Sequence, residues 1–140
     1  MEKPDWGQSL MVGNKSMDLE HRLQIGLIHA LDEAIRAGQD REEVAKILSQ
    51  LYEYTNAHFL AENLLMRLHA YPDYQAHADE HDRLVGSLES LRRTFDSGET
   101  GLTLDSIEAL RNWLGVHIQG MDRRLSSYVA ENGIPVSRRA

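Results

Sequence analysis

The chain has 140 residues, a natural size for one domain with one core. Its formal charge of −7 and a basic cluster limited to Arg138–Arg139 exclude a nucleic-acid partner, because phosphate binding needs clustered Lys and Arg. The absence of cysteine removes disulfides, thiolate metal sites, iron–sulfur clusters and cysteine nucleophiles together.

Charges interrupt every apolar run, so no membrane span is expected. The opening "MEKPDWGQSLMVGNKSM" has no basic start followed by an apolar core, and the cytoplasm is the expected compartment. Residues 1–15, with Trp6, read as an irregular arm. A first helix is predicted from Met17 to Ala37, with Leu19, Leu23, Leu27 or Ile28, Leu31 and Ile35 as its apolar face. "AGQD" ends it, with Gly38 just past the helix end.

Asp40 then opens a second helix, and Glu43 completes a capping-box pattern. Its stripe runs Val44, Ile47, Leu48, Leu51 and Thr55, then continues through His58 and Glu62 to Leu65; the helix ends near Leu68. "AYPD" follows, with Pro72 suited to the first turn of a third helix, where its missing N–H costs nothing. That helix carries His77, His81, Leu84, Leu88, Leu91 and Phe95 on one face. "DSGETG" breaks it. A fourth helix is predicted from about Thr103 to Val129, with Leu104, Ile107, Leu110, Leu114, His117, Met121 and Leu125 in line, and residues 131–140 read as a flexible tail. Four amphipathic helices with short connections predict an all-α fold, an antiparallel up-down-up-down four-helix bundle spanning residues 1–130.

The apolar faces hold a conflict. His58 and Glu62 are i,i+4 neighbours, His77 and His81 are another such pair, His117 lies on the fourth stripe with Asp122 five residues on, and His21 lies near the start of the first helix. A lone histidine on an apolar face is ordinarily a hydrogen-bonded core residue. Five imidazoles and two carboxylates are different. Burying them unpaired costs several kcal/mol per charged group, against a total stability of roughly 5–15 kcal/mol. A metal centre satisfies them jointly, and alternating early and late positions along successive antiparallel helices put all seven at one level. Seven donors are too many for one metal, so a dinuclear centre is expected, with nitrogen and oxygen ligands suited to iron, manganese or zinc. His29 and His69 fall outside the pattern and are expected to be ordinary polar or surface residues, and Phe59 to be packing.

The stretches "DLEH" (18–21), "HFLAENLLM" (58–66), "HADEH" (77–81) and "WLGVHIQGMD" (113–122) resemble the hemerythrin family, as do Trp6 onward and "AYPDYQAH". The resemblance covers about residues 6–128. It implies two iron ions, cycling between Fe2+ and Fe3+, with a bridging oxo or hydroxo group. It places His77, His81 and His117 on one iron and His21 and His58 on the other, with Glu62 and Asp122 bridging. One coordination position is then open on the two-histidine iron, where dioxygen binds as the ligand. Leu114 matches the family's apolar lid over that position, and Trp113 beside it is either a wall of the dioxygen pocket or plain core.

Reversible dioxygen binding for storage, delivery or sensing is therefore expected, in preference to catalysis. No Glu has a His three residues later, so the pattern of the oxygen-activating bundle proteins is missing. The alternatives are a signalling module, or an enzyme handling nitric oxide, peroxide or iron at the same centre. A protein partner is left open, and a monomer or weak homo-oligomer is expected. Two details remain. Asn63 stands where many relatives carry a second acidic residue; it points about 100° from the ligand face, so little damage to the site is expected beyond a change in a hydrogen bond behind the ligands. His117 and Asp122 lie about 140° apart on a regular helix, so a π-bulge near Gly120 is predicted.

Overall fold

The structure, a computed structural model, describes residues 10–98 and 104–132. Three helices, α1 (Lys15–Arg36), α2 (Arg41–Leu68) and α3 (Tyr74–Ser97), are followed by a composite fourth rod. That rod comprises α4 (Leu104–His117), a π-helical segment (Ile118–Asp122) and α5 (Arg123–Asn132). Helix α1 packs against α2 and α4, and α2 against α3. The connections at 37–40 and 69–73 are too short for anything but antiparallel neighbours, so the expected four-helix bundle is found. Trp6, Thr103 and residues 133–140 of the expected tail lie outside the described residues, and α5 takes in Glu131 and Asn132.

Local chemistry sets the helix ends. The Asn14 side chain accepts from the Met17 N–H at 3.0 Å, and that of Asp40 accepts from the Glu43 N–H at 2.9 Å, so each satisfies an otherwise orphaned donor. Gly38 takes φ +70° just beyond α1, as its position predicts. At the end of α2 the same left-handed task falls to Ala70, with φ 53°. Pro72 does not sit in the first turn of α3. It lies in the turn closed by the Tyr74 N–H on the Tyr71 carbonyl at 3.2 Å, where its fixed φ suits the second turn position.

Two apolar clusters bracket the bundle's middle. Ile28, Leu31, Leu48, Leu51, Leu88 and Ile107, with their neighbours, fill one end; Met17, Met66, Tyr71 and Leu125 fill the other. The predicted face of α1 needs correction, because Leu19 and Leu23 are 55% and 50% exposed. The buried face is instead Met17, Asp18, His21, Gln24, Ile28 and Leu31. Polar partners make that possible. Gln24 donates to the Thr55 hydroxyl at 3.0 Å, and Asp18 accepts from the Val12 and Gly13 N–H groups at 2.8 and 3.3 Å. Ser126 of α5 donates to the Val12 carbonyl at 2.8 Å, so residues 10–14 are tied to the first and last helices. Leu104, also placed on a buried stripe by its spacing, is 37% exposed.

Candidate metal centre

Between the two apolar clusters every rod turns polar groups inward. Helix α1 contributes His21, α2 His58 and Glu62, α3 His77 and His81, and the fourth rod His117 and Asp122, all at 3% exposure or less. Pairs on α2 and α3 share a face because i and i+4 do. His117 and Asp122 meet because the segment between them is π-helical: i→i+5 bonding brings residues five apart round to one side. His117 Nε2 lies 3.2 Å from Asp122 Oδ1, where the predicted bulge was needed to put it.

The seven side chains form two groups of potential ligand atoms, each group lying within 4.8 Å. One holds His77, His81 and His117, the other His21 and His58, and both include Glu62 and Asp122. The carboxylates divide between them. Glu62 turns Oε1 to His81 (3.1 Å) and His77 (3.5 Å), and Oε2 to His58 (3.2 Å) and His21 (3.6 Å). Asp122 turns Oδ1 to His77 (3.0 Å) and His117, and Oδ2 to His21 (2.9 Å). Every imidazole presents Nε2 to the centre.

Two imidazoles are fixed from behind. The Nδ1–H of His81 donates to Asn63 Oδ1 at 2.9 Å. The Nδ1–H of His58 donates to the Glu20 carboxylate, a contact that spans two helices and that sequence reading missed. Both bonds fix the tautomer that leaves Nε2 bare for a metal. Phe59 does more than pack: its ring stacks on His81 with centroids 3.9 Å apart and planes 6° from parallel.

Without a cation the cluster is a set of linked ion pairs. Burial opposes charge on His21 and His77, but the Asp122 and Glu62 carboxylates outweigh it and raise both to about 9. His58 is also raised, Glu62 and Glu20 prevailing over burial. His81 is lowered, because burial and the neighbouring His117 and His77 prevail over Glu62. Burial and the Glu62 charge push Asp122 up, yet the three imidazoles beside it bring it down to about 2. Glu62 is held well below the usual carboxylate range by four imidazoles despite its burial.

The pairing is incomplete. Both Glu62 oxygens, Asp122 Oδ2, and the Nε2 atoms of His21 and His58 are buried with no hydrogen bond of good geometry. Such atoms cost stability unless something answers them. Divalent cations placed between the imidazoles and the carboxylates do, so the residues fit a two-metal centre.

Other candidates fall elsewhere. Leu114 is buried one turn before His117, in the apolar cluster with Leu110 and Ile118. Trp113 is half-buried and lines a groove with Ser87, Leu91 and Leu110. His29 is half-buried, 3.4 Å from Glu33 on its own helix. Of the two readings given to His69, a polar or a surface residue, burial removes the second: it lies at the end of α2, where its backbone N–H bonds to the Leu65 carbonyl at 3.1 Å. Among the described residues no helix is long and apolar enough to cross a membrane.

Comparison with known proteins gives the family. The model of the hemerythrin HHE cation-binding domain matches residues 12–129. A bacteriohemerythrin of Methylococcus capsulatus is 33% identical over 106 residues, covering 76% of this chain and 80% of its own. One from Ralstonia nicotianae is 26% identical over 128 residues, 91% of this chain and 90% of its own. The crystal structure of a wild-type hemerythrin superposes with a TM-score of 0.79 at 28% identity, over 92% of this chain and 97% of that one. Matched from the arm to the last turns of α5, with its inward polar groups on the same four rods that carry that domain, the chain belongs to the hemerythrin family.

Proposed function

We propose that this protein holds two iron ions and binds dioxygen reversibly, as a carrier, store or sensor in preference to a catalyst. One observation carries the reading: the shared carboxylates join two donor groups of unequal size. Counting one atom per residue, His77, His81 and His117 with Glu62 and Asp122 make five donors, while His21 and His58 with the same carboxylates make four. For metals that prefer six-fold coordination, the two-histidine side keeps one more position free than the other. A small diatomic fits there.

His77, His81 and His117 would hold one ion, His21 and His58 the other, and Glu62 and Asp122 would tie the two together. Iron supplies the reversible electron transfer that dioxygen binding needs. The chain's own contribution is geometry and dryness. Glu20 and Asn63 hold two imidazoles in the ligating tautomer, Phe59 braces the His81 ring, and the apolar cluster that holds Leu110, Leu114 and Ile118 closes one end of the polar layer and would help exclude water.

The test is anaerobic loading with Fe(II), an iron count, then admission of air while the visible spectrum is recorded. Two irons per chain and a colour that appears with air and disappears on degassing are expected. His58→Ala should abolish the reversible colour. Steady consumption of peroxide, nitric oxide or dioxygen would place the protein among enzymes instead. Failure to take up iron would remove the reading altogether.

A further inference from the structure

Between α1 and α2 lies a cavity of about 230 Å³ whose lining includes Asn14, Ser16, Glu20, Ala61 and Leu65, and which reaches Glu62. Larger clefts, including those beside Tyr71 and beside Trp113, touch none of the seven inward polar residues. We propose that this cavity is the port through which a divalent cation reaches the two-histidine group. The inference rests on the metal-centre reading above.

Three features carry it. The first is position: Glu62, whose carboxylate is shared by both donor groups, is 2% exposed yet lines the cavity. The second is charge. Glu20 and Glu62 are the charged residues of the lining, with neither Lys nor Arg among them. Glu20 is partly exposed and its carboxylate also meets His58 Nδ1, so a cation captured there stands one imidazole ring from His58 Nε2. The Glu62 oxygens behind the lining are buried and accept no hydrogen bond of good geometry.

The third is size. At about 30 Å³ per water the volume admits roughly seven to eight waters, enough for a cation that still carries most of its shell. Carboxylates in series let the shell be replaced stepwise by oxygen ligands, which eases the dehydration of a hard cation. Dioxygen, uncharged and apolar, has no use for such a lining.

The test reverses charge at the rim without touching a ligand. Ala61 is exposed and mid-helix, where Lys and Glu are both good helix formers. The full-length chain, stripped of metal, is mixed anaerobically with Co(II) in a stopped-flow instrument, for the parent, Ala61→Lys and Ala61→Glu. Ala109, exposed on α4 and away from the cavity, receives the same pair as a control. The phase missing in His58→Ala reports the two-histidine group.

At about 0.01 M salt that phase is expected about three- to tenfold slower in Ala61→Lys than in Ala61→Glu, and the gap should close near 1 M salt. Final cobalt content should not change, and the Ala109 pair should load alike. Equal rates in the Ala61 pair with full loading would overturn the port alone. No uptake by the parent would overturn the metal-centre reading and the port with it.

Discussion

Raising the pH on the metal-free chain should unravel the centre from within. His21 and His77 have values raised from 6.5 to about 9 by the Asp122 and Glu62 carboxylates. A group whose folded value is raised contributes stability that is complete below its unfolded value and is lost as the pH climbs through the folded one. The contribution is therefore whole below about pH 6.5, declines above it, and is gone beyond about pH 9. At about 1.4 kcal/mol per pH unit, either histidine brings at most about 3 kcal/mol. Both lean on the same two carboxylates, so the pair does not add and about 3 kcal/mol is the figure for the two together. For a domain of this size that corresponds to a fall in Tm of about 10 °C.

Metal reverses the trend, because ligation needs neutral imidazoles and loading displaces their protons. The gap in Tm between loaded and metal-free protein should therefore widen from pH 6 to pH 10. Calorimetry of both forms across that range measures it. Asp122→Asn is the internal control: it keeps the shape, removes the charge beside His21 and His77, and should flatten the alkaline loss of the metal-free chain. A metal-free Tm that stays level through pH 9, or falls equally in Asp122→Asn, would refute the ion-pair account. On the acid side Asp122, lowered from 3.8 to about 2, gives stability present above pH 4 and lost as the pH falls through about 2.

Phe59→Ala should cost about 3–5 kcal/mol in urea unfolding, because the ring is 2% exposed, and should weaken the three-histidine metal first through the freed His81 ring. Ala70→Gly should raise stability by about 1 kcal/mol, since Ala70 holds φ 53° where only glycine is unstrained; an unchanged melting curve would count against it. Deleting Gln119, exposed in the π segment, converts His117 and Asp122 into an i,i+4 pair that an ordinary α-helix keeps on one face. That shortened chain should still load two metals, and loss of either would show that the π geometry itself is required. Leu23→Lys should stay within about 0.5 kcal/mol of the parent in the same unfolding assay, Leu23 being half exposed.

How far the sequence could be read depended on whether polar ligands and apolar core shared a helix face. On α2 and α3 they do. Leu48, Leu51, Leu84 and Leu88 continue the rows of His58, Glu62, His77 and His81, and periodicity found both. On α1 the shared face is less apolar: Met17, Ile28 and Leu31 lie in the row of His21, but Asp18 and Gln24 take places among them, each with its own hydrogen-bond partner. The leucines at 19 and 23 are each two residues from His21, about 160° round the helix, and drew the stripe onto the solvent side. The π segment was legible for a different reason, namely that the chemistry of Asp122 demanded a turn that a regular helix could not give. Glu20 and the burial of His69 left no local signal. One depends on α1 lying beside α2, and the other on how the α2–α3 turn folds back.

The unequal donor groups are also unequally supported. On the three-histidine side the described anchor behind an imidazole is the neutral amide of Asn63, on His81. On the two-histidine side it is the Glu20 carboxylate, on His58. A carboxylate behind an imidazole makes the ring a stronger electron donor than an amide does. The group with fewer ligands therefore receives the more basic one. His21, His77 and His117 have Nδ1 atoms without a hydrogen-bond partner, so the contrast between Glu20 and Asn63 is not averaged away by other anchors. Glu20 also lines the cavity that Glu62 lines, so under the proposed port it would be the residue at which metal entry and metal tuning meet. Glu20→Gln keeps an acceptor behind His58 but removes its charge: the metal-free Tm should fall modestly, as loss of one ion pair requires, while the two-histidine metal loads more slowly and binds less tightly.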